Sequence, residues 1–452
     1  MFRQYDIRGV VGTDLTVEAA EAIGSAYGAL LAEQGLPREV AVGRDNRPSG
    51  EELHDALVRG LRLTGTNVVD IGVVPTPLLY WALHQLRVSG GIQITGSHNP
   101  PEFNGFKICV GTDSLHGAGI QRLRELAEAG TFPSGEGTLA REAVIDRYVD
   151  DVAERIGKLS RPLTVVMDCG NGVGALLAPA LFPRIGLNPI LLFAESDGTF
   201  PNHHPDPTVV ENLKDLIATV VREKADIGIG FDGDADRIGI VDRHGAIIWG
   251  DHLLILYARD VLTRTGEGQP IIFDVKCSQA LPDAISAAGG IPVMWKTGHS
   301  LIKEKMKELS APLAGEMSGH MFFAEGFYGH DDALYGAARL LRIVADSGRG
   351  VDELLADIPK YVSTPEIRVD CEDDRKFLIV ATAQRHFRAT HDVIEVDGVR
   401  ILYGDGWGLI RASNTQPILV VRFEATSERR LGEIREEVAS WLERQGLQFP
   451  RE

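Results

Sequence analysis

Ile227-Gly228-Ile229-Gly230-Phe231 runs straight into Asp232-Gly233-Asp234-Ala235-Asp236-Arg237. A short apolar run that empties into a polar loop reads as a buried strand whose C-terminal end carries ligand-binding groups. The residues before it extend the pattern. Leu163 to Met167 leads into Asp168-Cys169-Gly170, then a helix-like segment, Gly186, and a second run from Pro189 to Phe193. Leu213, Leu216, Ile217, Val220 and Val221 then recur at helical spacing before Ile227. The order is β-α-β-α-β, which builds a parallel or mostly parallel sheet.

The same cadence occurs twice more. Val40 to Val42, a helix through Leu53, Ala56, Leu57 and Leu61, Val68-Val69, a helix from Leu78 to Leu86, and Ile92 to Ile94 end in Thr95-Gly96-Ser97-His98-Asn99-Pro100. Ile271 to Phe273, Ile291 to Trp295, the helix Leu301 to Leu309 and Pro312 to Ala314 end in Gly315-Glu316-Met317-Ser318-Gly319-His320. Beyond about residue 360 the runs Ile367 to Val369, Val393 to Val396, Val399 to Tyr403, Gly408 to Ile410 and Ile418 to Phe423 are short and turn-punctuated, as in an antiparallel sheet. The expected fold is α/β: three similar α/β domains with mixed, mostly parallel sheets (1–142, 143–246, 247–359) and a smaller C-terminal α+β domain (360–452).

Composition narrows the function. The 452 residues are 44% hydrophobic and 24% charged, ordinary values for a folded soluble chain. Acidic residues exceed basic ones by 64 − 46 = 18, which argues against nucleic acid or an anionic membrane as partner. There is no run of about 18 apolar residues and no basic-then-apolar leader, so a cytoplasmic chain is expected. Cys109, Cys169, Cys277 and Cys371 are scattered and read as small buried residues in a reducing compartment. Neither a P-loop nor a strand-linked G-x-G-x-x-G occurs, so no nucleotide cofactor is expected.

In an extended segment Asp232, Asp234 and Asp236 project to one side. At about 4 Å, two like charges repel by roughly 4 kcal/mol at an effective dielectric of 20, so the cluster asks for a cation. Three hard oxygen ligands suit Mg²⁺, which keeps positions for water or phosphate. An EF-hand would need Gly and Glu where Arg237 and Arg243 stand; the bland alternative is a solvated acidic turn, but the cluster's place directly after Ile227 to Phe231 favours metal binding. Ser97, on a Gly-containing turn, could present a hydroxyl or a phosphoester, yet alone it fits an ST-turn better. His98 need not be its base, because neighbours on extended chain point apart. Lys107 could be a base or a phosphate partner. Glu316, Ser318 and His320 combine a carboxylate, a hydroxyl and an imidazole, suited to vicinal sugar hydroxyls. Arg411-Ala412-Ser413-Asn414-Thr415-Gln416-Pro417 offers a guanidinium, hydroxyls and an amide for a phosphate, or simply a hairpin loop. Tyr5-Asp6-Ile7-Arg8-Gly9 means little alone.

Together and in this order, the five strings resemble the α-D-phosphohexomutase family, and within it the bacterial phosphomannomutase/phosphoglucomutase branch. The resemblance covers nearly the whole chain. It implies four domains around a central cleft and a phosphoryl group passed between Ser97 and a hexose 1- or 6-phosphate, through a hexose 1,6-bisphosphate intermediate. It implies one Mg²⁺ on Asp232, Asp234, Asp236 and phospho-Ser97. The implied catalytic set is Ser97, Lys107, Arg8, His98 and Arg237, with Lys107 as general acid or base. The implied substrate contacts are Tyr5, Lys276, His299, Glu316, Ser318, His320, Arg411, Ser413, Asn414 and Thr415. Glu316-Met317-Ser318 is the mannose/glucose form of the sugar loop; phosphoglucosamine mutases typically carry Gln at the position of Met317, and that activity ranks second. A metal-dependent sugar-phosphate phosphatase and a non-catalytic phosphosugar-binding protein rank below it. A monomer and a homodimer are both compatible with the reading. His330 departs from the pattern, which calls for an aromatic there.

Overall fold

The computed structural model describes residues 1–414 and 416–450. Among these residues there are four sheets. In the first, Asn67–Val73, Glu39–Arg44 and Gly90–Ile94 are parallel neighbours, Leu139–Arg141 adds in parallel at one edge, and Phe103–Val110 and Ile7–Val10 add antiparallel at the other. The second runs Ile190–Leu192, Val165–Asp168, Ile227–Phe231 in parallel, then Ile238–Asp242 and Ile247–Ile248 antiparallel. The third has Ile291–Trp295, Pro270–Asp274 and Leu313–Gly315 in parallel and Met321–Phe323 antiparallel. The C-terminal sheet is entirely antiparallel and is covered by the helices Asp373–Arg388 and Glu428–Arg444.

The expected cadence is present in all three α/β sheets, with one addition. Each polar loop is the connection of a hairpin, because the chain turns back antiparallel at Phe103, Ile238 and Met321. A returning strand anchors both ends of the loop, a firmer mount than a strand-to-helix link. Ile247–Ile248 still pairs in the second sheet, two residues past the expected boundary at 246.

One apolar cluster runs through the second and third α/β units and into the first, joining Trp81, Tyr148, Phe182, Tyr257 and Phe323. The C-terminal unit has its own core around Phe387, Val421 and Trp441, and meets the third through the small cluster Val275, Trp407 and Leu409. There Trp407 is 2% exposed, its indole N–H donates to Glu424 at 2.8 Å, and the Arg400 guanidinium lies 3.8 Å from its ring centroid. Arg400 in turn donates to the carbonyls of Val275 and Cys277 at 2.8 and 2.7 Å. Trp407→Ala should therefore cost about 3–5 kcal/mol and appear in calorimetry as an early, separate transition of the C-terminal unit. An unchanged melting curve would show that this contact does not hold the two units together.

All four cysteines are buried and unpaired. Among the described residues no helix is long and apolar enough to cross a membrane.

Candidate active site

Ser97 is 2% exposed and has a left-handed backbone, φ +51°. Its N–H donates to Thr95 Oγ1 at 2.8 Å, and its Oγ lies 3.2 Å from Asp232 Oδ2 and 3.1 Å from His98 Nδ1. The positive φ turns the chain sharply, so the His98 ring folds back onto the hydroxyl instead of pointing away as extended chain would require. Burial and the nearby Arg237 and Arg8 charges hold the His98 imidazole well below its ordinary pKa, that is, neutral.

Asp232, Asp234 and Asp236 are each fully buried, with ligand oxygens within 4.8 Å of one another. The convergence comes from a tight turn rather than an extended segment. Ala235 is left-handed at φ +57° and its N–H returns to Asp232 O at 3.1 Å. Asp232 Oδ1 accepts the backbone N–H groups of Asp236 and Arg237 at 3.0 and 3.1 Å. Asp234 Oδ2 accepts from Thr76 Oγ1 at 2.5 Å, while Asp234 Oδ1 is buried without a partner. Lys107, 5% exposed, donates to Asp234 at 2.7 Å and also pairs with Asp236. These carboxylates hold its ammonium well above the ordinary range despite burial. Arg8 pairs with Asp6 at 2.7 Å, and its strand lies beside that of Lys107.

The loop from Glu316 to His320 is joined to the aspartate loop. Arg237 and His320 form an antiparallel bridge, and His320 spans from Glu316 Oε2 at 2.9 Å to Asp236 Oδ1 at 3.1 Å. Burial works against its charge, but these carboxylates outweigh it and push His320 up to about 9. Ser318 Oγ is 3.2 Å from His320 Nδ1, and Arg237 Nε is 3.3 Å from its Nε2. Glu316 Oε1 accepts the Gly298 N–H at 2.6 Å. Gly298 has φ +134°, and a Cβ there would sit 2.7 Å from the Tyr5 ring, so the close approach of Tyr5 requires glycine. His299 opens the next helix against Tyr5 and His320, lowered to about 3 by burial and by Lys303.

On the C-terminal unit, Arg411 pairs with Asp397 at 3.0 Å, and Asp397 also accepts the Thr297 N–H at 3.1 Å. Asn414 donates to the Tyr5 hydroxyl, which donates to Thr297 O at 2.8 Å. Lys276 pairs with Glu366 at 2.6 Å. Ser413 Oγ accepts the Gln416 N–H at 3.1 Å.

Four family models described as phosphoglucomutase/phosphomannomutase α/β/α domains I, II and III and C-terminal domain match residues 1–132, 146–245, 249–361 and 366–440. The chain belongs to the phosphoglucomutase/phosphomannomutase family. Phosphomannomutase/phosphoglucomutase of Pseudomonas aeruginosa is 50% identical over 436 residues, covering 96% of this chain and 94% of that protein. Phosphoglucomutase of Neisseria gonorrhoeae is 44% identical over 448 residues, 98% and 96% of the two chains. The crystal structure of a phosphoglucomutase/phosphomannomutase family protein from Burkholderia thailandensis superposes with a TM-score of 0.93 at 44% identity, covering 100% and 99%.

For a phosphoglucomutase/phosphomannomutase the geometry gathers what the sequence left scattered. Ser97, His98, Lys107, the three aspartates, Arg237, Glu316, Ser318, His320 and His299 form one connected network, joined to Asn414 and Arg411 through Tyr5 and Thr297. Lys276 lies against Asp274 at 3.8 Å, at the edge of the same network. Thr415 lies outside the described residues. His330 is 4% exposed and packs among Tyr80, Phe327 and Tyr328, so an imidazole fills the aromatic position. Sequence reading missed Asp274, whose carboxylate accepts from Met317 N–H at 3.0 Å and Thr297 Oγ1 at 2.9 Å. It also missed the counter-charges Asp397 and Glu366. Asp274 ends a strand as Asp168 does, and Asp232 stands directly after one, a signal available in the repeat; Asp397 and Glu366 carry none.

Proposed function

We propose that this enzyme interconverts the 1- and 6-phosphates of mannose, glucose or both, through phospho-Ser97 and a hexose 1,6-bisphosphate. One observation carries the reading: Ser97 Oγ sits 3.2 Å from Asp232, while the Arg411 loop, a phosphate cradle, stands on another unit with the Glu316 loop between. A substrate that must bind in two orientations needs one reacting centre, one distal cradle and one hydroxyl-reading loop.

In the forward half-reaction a sugar hydroxyl oxygen bonds to the phosphorus of phospho-Ser97 as the P–Oγ bond breaks. The hydroxyl proton passes to an oxygen of the transferring phosphoryl group, and Oγ takes one from a donor beside it. Lys107, held protonated by Asp234 and Asp236, suits a proton donor and a charge beside the transferring group; acting as base would first require shedding that proton. In the return step, when Ser97 attacks, the Oγ proton goes back to the Lys107 amine that supplied it, while the neutral His98 ring, 3.1 Å from Oγ, accepts a hydrogen bond from the hydroxyl and orients it. Arg8 and Arg237 add positive charge beside the reacting oxygens. Glu316 and Ser318 would grip the 3- and 4-hydroxyls, which leaves the C2 epimers unread. The buried triad, with Asp234 Oδ1 unpartnered, fits a hard divalent cation. Asp232, Asp234, Asp236 and a phosphate oxygen on Ser97 would hold Mg²⁺, which when bound neutralises charge developing on the phosphoryl group.

Intact-mass measurement tests this directly. The purified protein should carry one phosphate on Ser97 after exposure to hexose 1,6-bisphosphate and Mg²⁺, and hexose monophosphate should discharge it with organic phosphate conserved. Release of inorganic phosphate would indicate a hydrolase, and an unmodified chain would end the mechanism at its first step.

Arg411→Ala removes a charged donor from the cradle that either phosphate visits in turn. The loss of about 2–3 kcal/mol expected for a hydrogen bond to a charged group is roughly 30–150-fold in kcat/KM, in both reaction directions. A defect confined to one direction, after correction for equilibrium, would place Arg411 elsewhere in the cycle.

A further inference from the structure

Asp45, Asn46 and Arg47 follow the first crossed strand, Glu39–Arg44, and none of the functions above uses them. Arg47 is 1% exposed, and its guanidinium is turned to backbone carbonyls and to Asp45. Its Nη2 donates to the carbonyls of Ser97 and Asn99 at 2.8 and 2.6 Å, and its Nη1 to those of Pro100 and Phe103 at 2.6 and 3.0 Å. Its Nε donates to Asp45 Oδ2 at 3.2 Å, so all five guanidinium N–H groups have partners. Asp45 Oδ2 also accepts from Thr95 Oγ1 at 2.8 Å and from the Gly96 N–H at 3.2 Å. A Cβ at Gly96 would lie 2.5 Å from the guanidinium, so the loop is wrapped directly on Arg47.

The tripeptide also reaches the second unit. Asn46 Nδ2 donates to Asn171 O at 2.7 Å and Ser196 Oγ at 2.9 Å, and the Phe200 ring covers Arg47 with its centroid at 5.1 Å. Two residues beyond Asn171, the Val173 N–H donates to Gly233 O, within the aspartate loop, at 3.0 Å. A Cβ at Gly233 would meet Ser97 O at 2.5 Å. The serine loop and the aspartate loop are thus held against each other through one short stretch of chain.

We propose that Arg47, oriented by Asp45 and linked across units by Asn46, is a positioning residue that sets the Ser97 hydroxyl against the aspartate loop. The inference rests on the phosphoserine reading above. A lysine offers one point charge and cannot serve four carbonyls and a carboxylate at once. A misplacement of about 1 Å at a reacting atom can cost about 10²-fold in rate.

The test compares Arg47→Lys, Asp45→Asn and Asn46→Ala with the parent, charging each with hexose 1,6-bisphosphate and Mg²⁺ and normalising kcat to the phosphate found on Ser97. Arg47→Lys should lose about 10²-fold in normalised kcat, with KM for hexose monophosphate within about threefold of the parent, since the cradle on the C-terminal unit is untouched. Asp45→Asn should fall in the same sense by a smaller factor. Asn46→Ala, which leaves Arg47 in place, keeps the test open should the buried substitutions not fold, and should also lower normalised kcat. Normalised kcat within about twofold of the parent in every variant that folds would overturn the proposal, because a purely structural role lowers melting temperature and yield but not turnover per phosphorylated enzyme. A parent that never takes up phosphate would instead refute the phosphoserine reading itself.

Discussion

Ser97→Ala is expected to lower turnover on the order of 10⁵-fold, the scale seen when a covalent nucleophile is removed. Melting temperature should change little. The substitution deletes only the hydroxyl, whose contacts are Asp232 at 3.2 Å and His98 at 3.1 Å, and the loop keeps its ties through Thr95 and Arg47. The left-handed backbone at 97 is no harder for alanine than for serine. Steady-state turnover of hexose 1-phosphate, circular dichroism and phosphopeptide mapping together check this. Activity within tenfold of the parent, in a protein that takes no phosphate at 97, would rule out the phosphoserine route.

Chelating divalent metal should cost several kcal/mol of transition-state stabilisation, roughly 10³-fold in kcat, restored by added Mg²⁺. The metal effect on stability should also depend on pH, with a definite sign. Burial first, then Asp236 and Asp234, raise the Asp232 pKa well above the carboxylate range. Without a cation the folded protein keeps a proton there that the unfolded chain releases above about pH 4. The native state then binds more protons than the unfolded one, so metal-free stability falls as pH rises from about 4 toward neutrality. His320, raised to about 9, acts in the same sense: its contribution is complete below about pH 6.5 and lost as pH climbs through its folded value. A cation takes the place of the Asp232 proton, so the melting-temperature gain on adding Mg²⁺ should grow between about pH 5 and pH 8. A gain independent of pH would mean that Asp232 is ionised without metal.

Both predictions depend on contacts that the sequence shows only in part. The three aspartates are conspicuous in the chain, but the reason offered for their convergence, an extended segment, is replaced by a turn at Ala235. The same holds for His98 beside Ser97, since one positive φ reverses where the neighbouring side chain points. Lys107 is legible as a cation near a strand edge, while its engagement with Asp234 and Asp236, more than 120 residues away, is not. Asp397 and Glu366 read as ordinary surface acids until the C-terminal unit folds, which pairs Asp397 with Arg411, and docks, which brings Glu366 to Lys276 and Asp397 to the Thr297 N–H.

The sequence by itself determined the repeated β-α-β-α-β order, the antiparallel tail and the five polar loops, because periodicity and turn chemistry are local properties of the chain. It also placed the chain in its family, since five ordered strings are far more specific than any one of them. Only the tertiary structure decided that each loop of the three α/β units is the bend of a hairpin and that Arg47 belongs to the serine loop. It alone set the charge states of Lys107, His98 and His320. The physical reason is that burial and charge neighbours set those states, and the neighbours come from other units of the fold, brought into contact by packing that no local pattern records.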